Sequence, residues 1–208
     1  MLAAEDLAPA DERRRDAKRR VVAKTRKLVE AVALLDASAM AEDDLEALEI
    51  EIDAMTAGVL DAPSLREHGG LFSAPGFQGN LGERSPISGE SNPLAAPLRL
   101  WLDGDVTRGQ ATYGAAYEGP PGLVHGGVLV AAFDELLAVA QAASGTAGFT
   151  GTLTIRLRRP TPLLRSIDYE GGVDRVEGRK IHAWGRSSCD GEVTAEAEGI
   201  FIKGAEAT

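Results

Sequence analysis

Cysteine is almost absent from this chain. Among 208 residues only Cys189 carries a thiol, so no disulfide can close within the chain and no cysteine-based zinc cluster can form. Histidine is nearly as scarce. His68, His125 and His182 are the only three, and none has H-x-x-x-H or H-E-x-x-H spacing, so no metal site is expected. No apolar run approaches the ~18 residues of a membrane span, which argues against membrane insertion. The segment Met1–Asp6 has neither a basic start nor an apolar run, so no secretion signal is expected and a cytoplasmic location is. Positive charge is in deficit overall. The net charge of −10 argues against nucleic acid as the main partner. What remains is 44% apolar and 26% charged, a globular composition long enough for one domain with an appendage.

Charge is distributed unevenly. Residues 11–27 hold nine basic side chains against three acidic ones, and residues 42–61 hold eight acidic side chains and no basic one. Val21, Thr25, Leu28, Val32 and Leu35 recur at helical spacing, as do Leu45, Leu48, Ile52, Met55 and Val59. The pattern predicts an antiparallel helical hairpin within residues 1–62, its oppositely charged flanks neutralising each other, with Ser38 or Asp43 as the N-cap of the second helix. Residues 63–97 are dense in Gly and Pro and lose all periodicity. They read as a linker or loop whose Phe72 and Phe77 pack on a ligand mouth or on the body of the domain.

From residue 98 to 203 the pattern is β-β-α-β-β-β-β, with residues 204–208 as a tail. Leu98, Leu100 and Leu102 alternate with polar neighbours, Asp103-Gly104-Asp105 turns the chain, and a second strand follows near Val106–Glu118. The stretch Val124–Ala143 is too long for a strand and apolar almost all round, which makes it a buried helix interrupted only by Asp134, Glu135 and Gln141. In the next strand Gly151, Leu153, Ile155 and Leu157 share one face, and Thr150, Thr152, Thr154, Arg156 and Arg158 share the other. Only a sheet curved about it can bury a helix that is apolar on every side. The fold class is therefore α+β, an antiparallel sheet wrapped around one long helix.

The block Gly119-Pro120-Pro121-Gly122-Leu123-Val124-His125-Gly126-Gly127 with Asp134 forms an H-G-G-x6-D pattern. It resembles the signature of hotdog-fold acyl-CoA thioesterases of the PaaI-like (phenylacetate-pathway) branch of the 4-hydroxybenzoyl-CoA thioesterase-like superfamily. Thr150–Leu163, Arg175–Lys180 and Ala195–Gly199 resemble later blocks of that family in order. The likeness covers roughly residues 90–203 and leaves residues 1–62 unmatched. It implies a hotdog fold, hydrolysis of an acyl-CoA thioester without a cofactor beyond the substrate's own coenzyme A, and pairing of domains with the active site between them. A second H-G-G, His68-Gly69-Gly70, has Phe77 where the acid would stand, and reads as a loop.

The chemistry follows from residue types as well. Glycines at a helix start leave amide N–H groups reachable, and the helix dipole adds positive charge there, so Gly126 and Gly127 can cradle a carbonyl oxygen. A carboxylate on an apolar helix is costly unless paired or used, so Asp134 is the candidate general base or nucleophile. His125 lines the site or caps the helix. The resemblance gives Thr150 the place of a threonine that sits beside the catalytic acid. Glu135 is the runner-up acid. Arg158, Arg159, Arg179 and Lys180 are candidates for coenzyme A phosphates or simply solvated charges, and Asn92 is a candidate border of the pocket. Gly126 and Asp134 stand about 12 Å apart along one straight helix. A single carbonyl cannot touch both, so the spacing predicts a homodimer, or a dimer of dimers, with each site drawn from two subunits. A non-catalytic acyl-CoA binder on the same fold, and an interaction protein working through its hairpin, are the alternative expectations.

Overall fold

The helical stripes near the N-terminus form where their spacing puts them. A computed structural model describes residues 8–68, 80–145 and 148–204. Helix α1 spans Pro9–Ala33 and α2 spans Glu42–Leu60. The N-cap position of α2 is Ala41, without a side-chain cap, so neither Ser38 nor Asp43 fills that role. Asp36 caps the intervening 3-10 turn instead, accepting from the Ser38 amide at 3.0 Å.

The expected neutralisation between the two helices is not observed. Among the described residues no ion pair joins α1 to α2. The basic block of α1 turns to the body of the protein. Arg19 pairs with the buried Glu83 and, at 2.6 Å, with Glu90. Arg26 donates to the Gly89 and Asn92 carbonyls at 2.8 and 2.7 Å, and Glu30 accepts from the Ala115 amide. The face that docks is therefore polar, with Val22 as its one buried apolar residue. Glu83 explains the difference. A carboxylate this buried demands a cation and hydrogen bonds, and it receives Arg19 and the Ser91 hydroxyl.

Residues 80–97 are a packed cap more than a linker. They begin with the short helix α3, Leu81–Arg84, and bury Ser85, Ser91, Ala95 and Ala96. Of the two surfaces considered for this segment, the described part lies on the body, where Ile87 packs against the core. Phe72 and Phe77 fall outside the described residues.

The sheet has six antiparallel strands in the order β1-β2-β4-β5-β6-β3. They are β1 (Arg99–Asp103), β2 (Val106–Thr112), β3 (Gly148–Leu157), β4 (Ser166–Glu177), β5 (Lys180–Cys189) and β6 (Glu192–Lys203). The second strand ends earlier than expected, and Ala115–Tyr117 forms a 3-10 turn. Helix α4, Gly126–Ala143, lies in the curve of the sheet. By length and composition it could cross a membrane, yet its apolar faces are spent on the core. Phe133, Leu136 and Leu137 meet Ile167, Tyr169, Ile181 and Phe201 there, each large side chain contributing about 2 kcal/mol by leaving water. This is the wrapped-helix architecture that the apolar periodicity required.

Inside that core two tyrosine hydroxyls share a 2.8 Å hydrogen bond, Tyr113 with Tyr169. Burial holds both phenols neutral. Tyr113 is pushed up to about 12 and Tyr169 also rises well above its ordinary value. In the unfolded chain both ionise near pH 10, so their contribution to stability is complete below pH 10 and is lost as pH climbs toward the folded values. These two tyrosines should add no pH dependence to Tm below pH 10. Above it a steep decline is expected, on the order of 2–3 kcal/mol for Tyr113 alone. Substituting both residues by Phe should shallow that decline.

Candidate active site

The start of α4 is held by its lead-in. The His125 amide donates to the Tyr117 carbonyl and the Val124 amide to the Thr161 carbonyl, both at 2.9 Å. Glycine is obligatory at 119, because a Cβ there would lie 2.8 Å from the Cα of His125. Gly119→Ala should therefore move His125 and the first turn of α4. A fall in activity with little change in Tm is the expected result, checked by paired kinetics and melting.

His125 caps the helix. Its Nδ1 accepts from the Gly127 amide at 3.0 Å, which assigns the ring proton to Nε2 in the neutral form. That bond changes the expected cradle. The Gly127 amide is already committed, and the Val128 amide donates to the His125 carbonyl at 2.9 Å. Among the described residues, only the Gly126 amide at this helix end lacks a partner within the first turn. A Cβ at Gly126 would meet nothing nearer than Leu157 Cδ1 at 3.7 Å, so the chain itself leaves room for a side chain. An open amide at the positive end of a helix dipole suits a developing oxyanion.

Two turns on, Asp134 is half-buried and its Oδ1 accepts from the Thr150 hydroxyl at 2.9 Å. Strict alternation along β3 would have turned Thr150 away from α4. A register shift between Thr150 and Thr152 inserts Gly151 as an extra residue, so Thr150 pairs opposite the buried Phe201 and Thr152 opposite Ile200. The bulge turns Thr150 to the helix side, which corrects the expected face and supplies its contact with the acid. Glu135 points elsewhere. It is buried, and Ser88 of the packed cap donates to it at 2.5 Å. The two adjacent acids thus sit on different faces of α4, Asp134 toward β3 and Glu135 under residues 85–88.

Gly126, Val130 and Asp134 recur every four residues and share one stripe of α4. Beside it runs β3, the sheet's edge, with Leu157 at the Gly126 end and Thr150 at the Asp134 end. Val130 and Leu157, 44% and 57% exposed, leave this strip apolar and uncovered.

The remaining candidates do not gather around Asp134 within one chain. Arg158 pairs with Glu196 at 2.7 Å and Arg159 with Glu192 at 2.5 Å, beyond the Leu157 end of β3. Arg179 donates to the Lys203 carbonyl and Lys180 lies opposite Ile202, at the other end. Asn92 spends its side chain inside the cap, donating to the Arg84 carbonyl and accepting from the Leu94 amide, both at 3.0 Å. His68 closes a 3-10 turn, Leu65–His68; Gly69 and Gly70 lie outside the described residues.

A sheet curled around one central helix, with H-G-G opening the helix and an acid two turns in, defines the hotdog architecture. Comparison with known proteins agrees. A thioesterase superfamily protein of known crystal structure is 32% identical, with a TM-score of 0.75 over 89% of this chain and 94% of that one. The chain belongs to the thioesterase superfamily. Bovine acyl-coenzyme A thioesterase THEM4 is 35% identical over 92 residues, 43% of this chain and 38% of that protein. Human acyl-coenzyme A thioesterase THEM5 is 30% identical over the same length, 43% of this chain and 37% of that protein. The match thus spans less than two fifths of these curated relatives. Zebra fish thioesterase superfamily member 2 shares the fold, with 14% identity and a TM-score of 0.50 over 64% of this chain and 91% of that one. No family model matches the chain.

Proposed function

We propose that the protein hydrolyses acyl-CoA thioesters, R–CO–S–CoA plus water giving a carboxylate and free coenzyme A. The observation that carries this reading is the stripe of α4 with an uncommitted amide at Gly126 and a hydrogen-bonded carboxylate at Asp134, beside the edge strand β3. Coenzyme A is part of the substrate, and the step needs no other cofactor. The Gly126 amide receives the carbonyl oxygen as it gains charge. Asp134, oriented by Thr150, takes a proton from the attacking water or attacks the carbonyl carbon itself.

One chain cannot assemble this site, since the two groups lie about 12 Å apart along α4. A ten-residue edge strand with exposed apolar side chains is also a template for pairing. Two copies of β3 running antiparallel about a two-fold axis near Leu153 and Thr154 bring Thr150 of one copy beside Leu157 of the other. Asp134 then approaches the Gly126 of its partner. The same axis brings Arg158 and Arg159 of one copy toward Arg179 and Lys180 of the other, a basic rim suited to coenzyme A phosphates. Exposed ion pairs such as Arg158–Glu196 are worth only about 0–1 kcal/mol, so phosphate can compete for these arginines.

Thiol release from a panel of acyl-CoAs tests the reading. Hydrolysis of at least one chain class is expected, and binding of all with hydrolysis of none would overturn it. Arg158→Ala with Arg159→Ala should raise KM for acyl-CoA about tenfold. The same pair should leave KM for an acyl-pantetheine, which lacks the nucleotide phosphates, unchanged.

A further inference from the structure

The proposed chemistry makes no use of α1 and α2, which carry uncovered apolar stripes. Val21 is 60% exposed, Val32 49%, Met55 55% and Val59 69%. No residue of α2 is buried. A helix of 19 residues that only half-buries Leu45 and Ile52 has little to hold it in water, because helices in proteins draw most of their stability from packing an apolar face.

Charge indicates what covers it. On the outer side of α1, Arg13, Arg20, Lys24 and Lys27 flank the stripe and have no ion-pair partner among the described residues. On α2 the side chains of Asp44, Glu49 and Glu51 flank the corresponding stripe, also unpaired there. Arg14 and Arg15 pair within α1, with Asp11 and Asp16, while Arg19 and Arg26 are consumed by residues 83–92 on the opposite face. The pair of helices thus carries two apolar stripes, one with a basic border and one with an acidic border.

We propose that the α1–α2 pair is a self-docking surface. The acidic α2 of one copy lies along the basic α1 of a second copy, the relation repeats about a two-fold axis, and the four helices close into a bundle. A two-fold contact requires that residue i meets j of the partner while j meets i. A surface basic on one helix and acidic on the next meets that condition with every pairing attractive. Four helices also bury what two cannot, since each stripe then faces a common core. α1 is fastened at Ala115, just after β2, and at residues 83–92, just before β1. Those strands form the edge of the sheet opposite β3. The bundle is therefore a contact separate from pairing at β3, and stands whether or not that pairing or the hydrolytic reading holds.

Two charge-reversed full-length variants test it. One carries Arg20→Glu, Lys24→Glu and Lys27→Glu, the other Asp44→Lys, Glu49→Lys and Glu51→Lys. Each alone opposes like charge to like in a two-fold pair, so its particle mass by sedimentation should fall about twofold from wild type. Mixed one to one they should regain the wild-type mass, because α1 of the first variant is now acidic against a basic α2 of the second. Pairing within a chain cannot produce that recovery. Far-ultraviolet circular dichroism checks that helices persist. Carbodiimide cross-linking of mixed isotope-labelled and unlabelled wild type gives a second measurement, with Lys24 or Lys27 joined to an α2 carboxylate of the other isotope. A mixture that stays at the reduced mass, variants that keep the wild-type mass, or cross-links confined to one isotope would each overturn the proposal.

Discussion

Asp134→Asn should lower kcat for acyl-CoA hydrolysis by about 10²–10⁴-fold, the range expected when a proton-accepting group is removed from a transition state, and leave KM close to wild type. That loss corresponds to about 3–5 kcal/mol of barrier. The substitution is matched in shape, and the amide oxygen of Asn can still accept from the Thr150 hydroxyl that reaches Asp134 at 2.9 Å. Tm should therefore move little. Thr150→Val is a milder variant. It leaves the carboxylate in place without its positioning hydrogen bond, and about tenfold in kcat is the expected cost. Glu135→Gln provides the contrast. Its partner is Ser88 in the packed cap, so stability should fall by about 1–3 kcal/mol while kcat holds. Full activity in Asp134→Asn would end the assignment of Asp134, and full activity in Asp134→Asn with loss in Glu135→Gln would transfer the role to its neighbour.

The elements that were legible in the sequence are those whose cause is local. α4 declares itself because an 18-residue run with so few charges cannot be a strand, and its depth follows from being apolar on every side. Asp134 stands out for the same reason. β3 was read one residue out of phase at its start, because a bulge adds a residue without changing composition. Gly151 inside an alternating strand was the signal that could have shown it. The commitment of the Gly127 amide to His125 was visible only as two alternatives, since a histidine before a helix can cap or catalyse with the same spacing. The docking face of α1 was not legible. Its partner Glu83 lies 64 residues from Arg19, and helical periodicity marks where apolar groups fall, not which polar ones will meet a buried carboxylate. Residues 80–97 were opaque for a related cause. Their order comes from hydrogen bonds such as those from the Ile87 and Ser88 amides to the Ser85 hydroxyl, which leave no period.

A site shared between two subunits, as proposed, predicts complementation. Gly126→Leu should abolish activity, because its side chain fills the space over the amide left uncommitted at this helix end, where Leu157 Cδ1 stands 3.7 Å from a Cβ position. Asp134→Asn abolishes the other half. If amide and carboxylate acted within one chain, no mixture of the two variants could work. With each site built from two chains, a mixed dimer holds one site that is doubly damaged and one that is whole, the Gly126 of the Asp134→Asn chain facing the Asp134 of the Gly126→Leu chain. Random co-assembly makes half the particles mixed, each with one of its two sites intact, so a co-expressed pair should recover about a quarter of wild-type activity. The recovery should vanish when β3 pairing is blocked, for example by Ile155→Pro, which removes an amide on the side of β3 turned away from β6. Reversing the charges on α1 or α2 should leave it untouched, because those helices lie toward the far edge of the sheet. A co-expressed pair no more active than either variant alone, with mixed particles verified by tagged purification, would place both groups in one subunit and require a helix bent or opened between Gly126 and Asp134.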